Sequence, residues 1–344
     1  MLAAGDLPTG APSLPHAGAA MAEFDLIGLI RERATTRDDV LLGIGDDAAL
    51  LQPPPGQALV VTADTLNGGV HFPADTRPAD IGWKALAVNL SDLASMGAKP
   101  AWCTLSLSLP RADAAWVEAF IDGFLELAGR HGIALVGGDT TRGPLSIGVT
   151  AMGLVEHGAA LRRDRARVGD DIWVTGTPGD AAGALVLGGH MPGPQPAGEA
   201  SAAARAILEA RLARPTPRVE AGRALLGLAH ACVDVSDGLL ADLGHVCARS
   251  GVGAEVWLEA LPASAALREV FADAAHVLQA AGGDDYELCF TAPPNLREQV
   301  QLALEHVGVD GTRIGRIVAG RGVRALDAQG QPWQPPRAGY EHFG

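Results

Sequence analysis

A chain of 344 residues in which helical and strand-like patterns alternate from residue 22 to the end predicts a mixed α and β protein of two domains. Its length is enough for two cores. Hydrophobic content of 48% beside 19% charged is that of a globular chain, not a disordered one. A basic, turn-rich stretch at 158–170 separates two sets of elements, so the expected division is 22–157 and 158–344. Residues 1–21, rich in Ala, Gly and Pro without helical or strand period, are expected to be a disordered tail, with Met21 a candidate start.

The first set opens with an amphipathic helix over 22–34, then a strand at 58–64 and a long apolar helix at 78–96. A strand at 101–109, a helix near 113–131, a short buried strand at 133–136 and a strand at 146–155 complete it. The second set begins with a strand at 172–175 and helices near 179–188, 201–213 and 217–229. A strand at 231–235, a helix at 238–249, a strand at 254–258 and a short helical region follow. Next come a strand at 286–291, a helix at 295–306 and two terminal strands. The Gly/Pro-rich stretch 188–200 reads as a surface loop.

Composition excludes several classes. No apolar run approaches the roughly 18 residues that span a bilayer, and no charged-then-apolar leader opens the chain. Four dispersed cysteines without a CxxC pair suit reduced thiols and a cytoplasmic location. A net charge of −14 argues against nucleic acid, whose phosphates are bound by basic surface. The basic residues include only two lysines, Lys84 and Lys99, and neither lies in a P-loop context.

Many acidic residues sit at element ends, most in Gly-rich turns: Gly43-Ile44-Gly45-Asp46-Asp47, Gly137-Gly138-Asp139, Asp234-Val235-Ser236-Asp237-Gly238 and Gly282-Gly283-Asp284-Asp285, with Thr62-Ala63-Asp64 ending the strand at 58–64. Singly, each is ordinary turn chemistry, and Asp237 could simply cap a helix. Asp92 differs, because its helix is apolar on most sides. Buried carboxylates are rare unless paired or metal-bound. Hard divalent cations fit such a set, since Mg²⁺ takes oxygen ligands from carboxylates and substrate phosphates. No Cys/His cluster suggests zinc.

Together the blocks GIGDDAAL (43–50), TADTLNGGVHF (62–72), KALAVNLSDLASMGAKP (84–100), GGDTTRGPLS (137–146), VTGTPGD (174–180), DVSDGLLADLGH (234–245), GGDDYELCFT (282–291) and GYEHF (339–343) resemble thiamine-monophosphate kinases. These lie within the wider aminoimidazole-ribonucleotide synthetase-like ATP-binding enzymes. The resemblance implies a two-domain PurM-like fold, α+β / α/β, with an N-terminal dimerising sheet domain and a C-terminal α/β domain closing the site. It implies ATP and thiamine monophosphate as ligands, several Mg²⁺ ions and a homodimer. By position, Asp47, Thr62, Ala63, Asp64, Asp92, Asp139, Asp234 and Asp237 match metal-binding positions. Gly138, Asp139, Arg163 and Ser236 match ATP contacts, while His71, Asp284 and Tyr340 match positions beside the acceptor.

Two positions depart from the common pattern. Ala63 stands where many relatives carry a hydroxyl, so a contact there would come from backbone. Asp284 stands where glutamate is common. The implied reaction is direct in-line transfer of the γ-phosphoryl group. A phosphate monoester acceptor, with a second pKa near about 6, is already anionic at neutral pH, so no catalytic base is expected. A selenophosphate-forming relative would want a reactive cysteine near the N-terminus, and none precedes Cys103.

Overall fold

The computed structural model describes residues 23–336 and 339–340, so the tail over 1–21, its candidate start and the last residues of the GYEHF block lie outside the described part. After α1 (Glu23–Arg33), two short strands, β1 (Val40–Leu42) and β2 (Leu50–Leu51), pair antiparallel around the Asp46-Asp47 bend. This ribbon was not legible in the sequence, because strands of three and two residues carry no period. β3 (Gln57–Asn67) follows and leads to α2 (Pro78–Ser95). β4 (Lys99–Leu109), α3 (Ala114–His131), β5 (Ala134–Arg142) and β6 (Ser146–Glu156) close a four-stranded sheet of order β3-β6-β4-β5. Only β4 and β5 run parallel, joined by the α3 crossover.

The strand expected at 133–136 is longer than the sequence suggested. It continues to Arg142, so Asp139 stands on a strand opposite Ser106, not in a turn. Glycine there reads as a breaker, yet Gly138 holds φ 151 against Leu105, where a Cβ would strike the Leu105 carbonyl.

Helices α2 and α3 cover one face of this sheet. Asp113 caps α3 by accepting the Trp116 amide at 3.2 Å, and Gly132 ends it at φ 63. The two helices touch backbone to backbone: a Cβ on Gly82 would meet the Phe120 carbonyl and one on Gly123 that of Ala79. On the opposite face of β3, Leu59 and Val61 are exposed, as are Leu41, Leu42 and Leu50 on the ribbon.

The second half contains β7 (Asp171–Thr175), α4 (Asp180–Leu187), α5 (Ala202–Ala213), α6 (Val219–Ala224) and β8 (Ala231–Val235). Then come α7 (Leu239–Ser250), β9 (Gly253–Trp257), α8 (Ala265–Phe271), α9 (Ala275–Ala281), β10 (Glu287–Ala292) and α10 (Arg297–His306). Strands β11 (Gly311–Val318), β12 (Gly322–Leu326) and β13 (Pro332–Trp333) finish a seven-stranded sheet of order β13-β12-β9-β11-β7-β10-β8. The helix expected over 217–229 is shorter, ending at Ala224.

Helix α2 explains its own composition. It packs on β3 and β6 of its own sheet, on α3, and also on α6, β8 and β10 of the second half. Leu86, Leu90 and Leu93 are fully buried. A helix apolar on most sides is one covered on most sides. Among the described residues no helix is long and apolar enough to cross a membrane.

Candidate active site

A cleft of ≈ 1330 Å³ opens where β3, α2 and the loop after α9 meet the C-terminal end of β8. Alternation along β3 turns Thr62 and Asp64 one way and leaves Ala63 and Thr65 more exposed on the other. Thr62 donates its hydroxyl to Asp92 on α2. One residue back on that helix, Ser91 donates to Asp234 at the end of β8, at 2.9 Å. Asp64, Asp92, Asp234 and Asp237 all line the cleft.

Crowding of like charges shows in their proton affinity. Burial, then the neighbouring Asp92, raises Asp64 to about 6. Burial also raises Asp92, only partly offset by the Thr62 hydroxyl and by Arg163. Asp234 is pushed up by burial and then by Asp92 and Asp242. Among the described residues, Arg163 is the cation paired with this cluster, its guanidinium 4.0 Å from Asp234. Carboxylates so placed hold their charge only against added positive charge.

Asp237 does not cap α7. The cap position is Gly238, and the Ser236, Asp237 and Gly238 amides all donate to the buried Asp242 at 3.0–3.1 Å. Burial, then Asp237, nonetheless raises Asp242 to about 7. Among the described residues, Asp237, Asp242 and His245 are the set whose possible ligand atoms lie within 4.8 Å of one another.

The cleft also has apolar and aromatic lining. Val70, Phe72, Val88, Leu185, Met191 and Tyr340 line it. The stretch expected to be a plain surface loop therefore supplies part of the wall, through Met191 and its neighbours His190 and Pro192. His71 lines the cleft too, with Nδ1 accepting the Asn67 amide at 2.9 Å. Tyr340 is fixed by its amide, which donates to the Asp237 carbonyl at 3.1 Å. Asp284 is held on both oxygens, by the Lys84 ammonium at 2.9 Å and the Tyr286 hydroxyl at 2.9 Å.

Residues flagged in the sequence are thus gathered unequally. Ala63, Asp64, His71, Asp92, Asp234, Ser236, Asp237, Asp284 and Tyr340 share one cleft. Thr62 and Arg163 touch it through Asp92 and Asp234. Asp47 is exposed on the ribbon bend, and Gly138 and Asp139 are exposed on β5; none of the three lines the cleft. Sequence reading missed Lys84 and Tyr286. The signal for Lys84 was its spacing: Lys84, Val88 and Asp92 fall on one stripe of α2.

The layout defines a class first. Residues 45–155 match the family described as AIR synthase related protein, N-terminal domain, and residues 167–327 match its C-terminal domain. A thiamine-monophosphate kinase from Escherichia coli (strain K12) is 46% identical over 327 residues, covering 94% of this chain and 99% of that protein. The crystal structure of thiamine-monophosphate kinase from Stenotrophomonas maltophilia K279a is 59% identical, with TM-score 0.82, covering 92% of this chain and 100% of that one. A structure described as "AaThiL complexed with AMPPCP and TMP" is 33% identical with TM-score 0.73, over 93% and 97% of the two chains. The chain belongs to the thiamine-monophosphate kinase family.

Proposed function

We propose that this chain transfers the γ-phosphoryl group of ATP to the phosphate of thiamine monophosphate, giving thiamine diphosphate. The observation that carries the reading is one cleft that combines two unlike kinds of lining. Its Asp92 and Asp234 sit beside one arginine, with Asp64 next to Asp92, while its apolar and aromatic residues offer walls to a ring system. The donor set is all oxygen, which suits Mg²⁺. When bound, Mg²⁺ ions held by Asp64, Asp92, Asp234 and Asp237 supply the positive charge that lets two phosphate-bearing ligands approach.

The chain's own residues orient. Thr62 and Ser91 fix two carboxylates by donated hydroxyls. Asp242 braces the Ser236–Gly238 turn, whose Ser236 lies against the proposed nucleotide site. Arg163 offers a planar fork for a phosphate. His71, Asp284 and Tyr340 receive the acceptor. No general base is required, because the attacking oxygen is already anionic. Incubation with ATP, Mg²⁺ and thiamine monophosphate should yield thiamine diphosphate, and omitting Mg²⁺ should abolish it. ATP binding without product would overturn the reading.

The pH dependence of stability has a definite sign. Asp64 in the metal-free protein binds its proton up to about 6, above its ordinary 3.8. Between these values the folded state holds more protons than the unfolded one, so metal-free stability falls as pH rises from 4 through 6. The cost is on the order of 3 kcal/mol, complete above about pH 6. Mg²⁺ should therefore raise the melting temperature more at pH 8 than at pH 5. Thermal melts at both pH values check this, and an equal or reversed shift counts against metal binding at Asp64.

A second copy of the chain completes the site in this reading. Asp64 stands opposite Val149, then Leu105, then Gly138 across the sheet, so Asp139 is three strands away. At about 4.8 Å per strand that is roughly 14 Å, too far for a shared ion. The exposed Leu59 and Val61 face, with the leucines of the β1–β2 ribbon, suits a homodimer that lays Asp47 and Asp139 of one protomer beside the cleft of the other. Co-expressed Asp64→Asn and Asp139→Asn chains, each inactive alone, should regain activity from the one intact site of each mixed dimer. No recovery would remove Asp139 from the partner's site. Residues 22–157 then carry metal, ATP and dimer contacts, and residues 158–344 close over them.

A further inference from the structure

Lys84 is one of two lysines in the chain, and its side chain is only 3% exposed. Its ammonium bonds Asp284 Oδ2, while Tyr286 donates to Asp284 Oδ1. The loop that carries Asp284 is fixed independently of that lysine. Asp284 and Tyr286 hold φ of 69 and 53, uncommon for residues with a side chain. Their amides donate to Ser236 and Val235 at 2.9 and 2.8 Å, and the intervening Asp285 accepts the Gly179 amide at 2.7 Å. Strained backbone held from several sides is characteristic of ligand-handling segments. What Lys84 adds is therefore charge and direction at the Asp284 carboxylate, not the course of the chain.

Three consequences follow. A carboxylate has about four acceptor positions, and two of them here are occupied by protein. The side chain is 24% exposed toward the cleft, so the others face a ligand. The ammonium cancels the charge, so the site suits an uncharged N–H donor more than a full cation. An uncompensated Asp284 would also compete for divalent cations that Asp64, Asp92 and Asp234 would hold.

Position matters as well. Lys84 and Asp92 lie on one stripe of α2, eight residues apart, or about 12 Å at 1.5 Å per residue. Val88 and Asp92 of that stripe line the cleft, and Lys84 reaches it through Asp284.

We propose that Lys84 is a positioning and specificity residue for the acceptor: it holds Asp284 as an ion-paired carboxylate that selects an aromatic ring bearing an exocyclic amino group. The inference rests on the phosphotransfer reading, in which the aminopyrimidine of thiamine monophosphate is that ring. A purely structural ion pair would give less reason for this choice, since well-packed apolar residues often replace buried pairs without loss of stability.

Lys84→Met tests it, by steady-state kinetics with thiamine monophosphate and with the analogue carrying a ring carbonyl in place of the amino group. Loss of a charged hydrogen-bond partner predicts a 10- to 100-fold rise in KM for the acceptor, as a rough range. Saturating kcat and the KM for ATP should stay within about threefold, and the wild-type preference for the amino acceptor should largely vanish. An unchanged acceptor KM and preference would overturn the proposal. So would a parallel loss in kcat and in the KM for ATP, which marks a structural role. If Lys84→Met does not fold, Tyr286→Phe removes the second partner of Asp284 and should shift the same two quantities less; no shift overturns the proposal. Wild-type turnover is measured first, and its absence overturns the phosphotransfer reading itself.

Discussion

Asp92→Asn is expected to lower turnover by on the order of 10³-fold or more in a protein that remains folded. The substitution changes one oxygen to nitrogen and leaves the volume of the site almost unaltered. It removes a carboxylate that is raised by burial, bonded by Thr62 and adjacent to both Asp64 and Asp234. Its charge is what a cation at this end would be held by. Two readouts separate this from simple damage. The metal-free variant should melt no lower than wild type, because Asp64 and Asp234 each lose a repelling neighbour. The Mg²⁺-induced rise in melting temperature at pH 8 should shrink. In the proposed dimer, Asp47→Asn should likewise abolish transfer, through the partner's cleft. Near-normal turnover of Asp92→Asn at saturating Mg²⁺ would end the metal-holder assignment.

How far the sequence could be read depended on the kind of signal each residue gave. Helix α2 was legible because its apolar residues run around the whole helix, and Asp92 stood out within its later turns. Asp234 and Ser236 were legible because a short apolar strand runs into a glycine turn. Asp139 was found by its motif but misplaced. The two glycines before it read as a turn, whereas the sheet needs glycine at 138 to let β5 approach Leu105. That constraint belongs to a partner strand more than thirty residues away. Lys84 was noticed only as a lysine outside a P-loop. Its partner Asp284 lies 200 residues further along the chain, and no local pattern announces such a pair. The wall formed by Met191 depends on how a Gly/Pro-rich loop folds back, which composition does not specify.

Glu287→Ala should be the most damaging single change to stability, at about 3–5 kcal/mol. Glu287 opens β10 immediately after the Asp284–Tyr286 loop and is fully buried. Arg218 grips it with two nitrogens at 2.6 Å, Arg211 reaches it at 2.5 Å, and the Thr175 hydroxyl donates to it at 2.7 Å. These partners come from α5, the residue before α6, and the end of the neighbouring strand β7, so one carboxylate ties two helical segments to the sheet. Truncation strands two guanidinium groups, of which Arg218 and Arg211 are only 17% and 21% exposed. An uncompensated buried charge costs more than the pair contributed. Against a usual total of about 5–15 kcal/mol, urea unfolding should show a midpoint lowered by a large fraction with an unchanged slope. Glu287→Gln keeps the shape and an acceptor but not the charge, and should fall between wild type and alanine. A midpoint for Glu287→Ala within error of wild type would mean the two arginines find water or another carboxylate. Asp180, raised by burial and interacting with Arg211, is one such carboxylate, and its removal in the Glu287→Ala background should then cost what Glu287 alone did not.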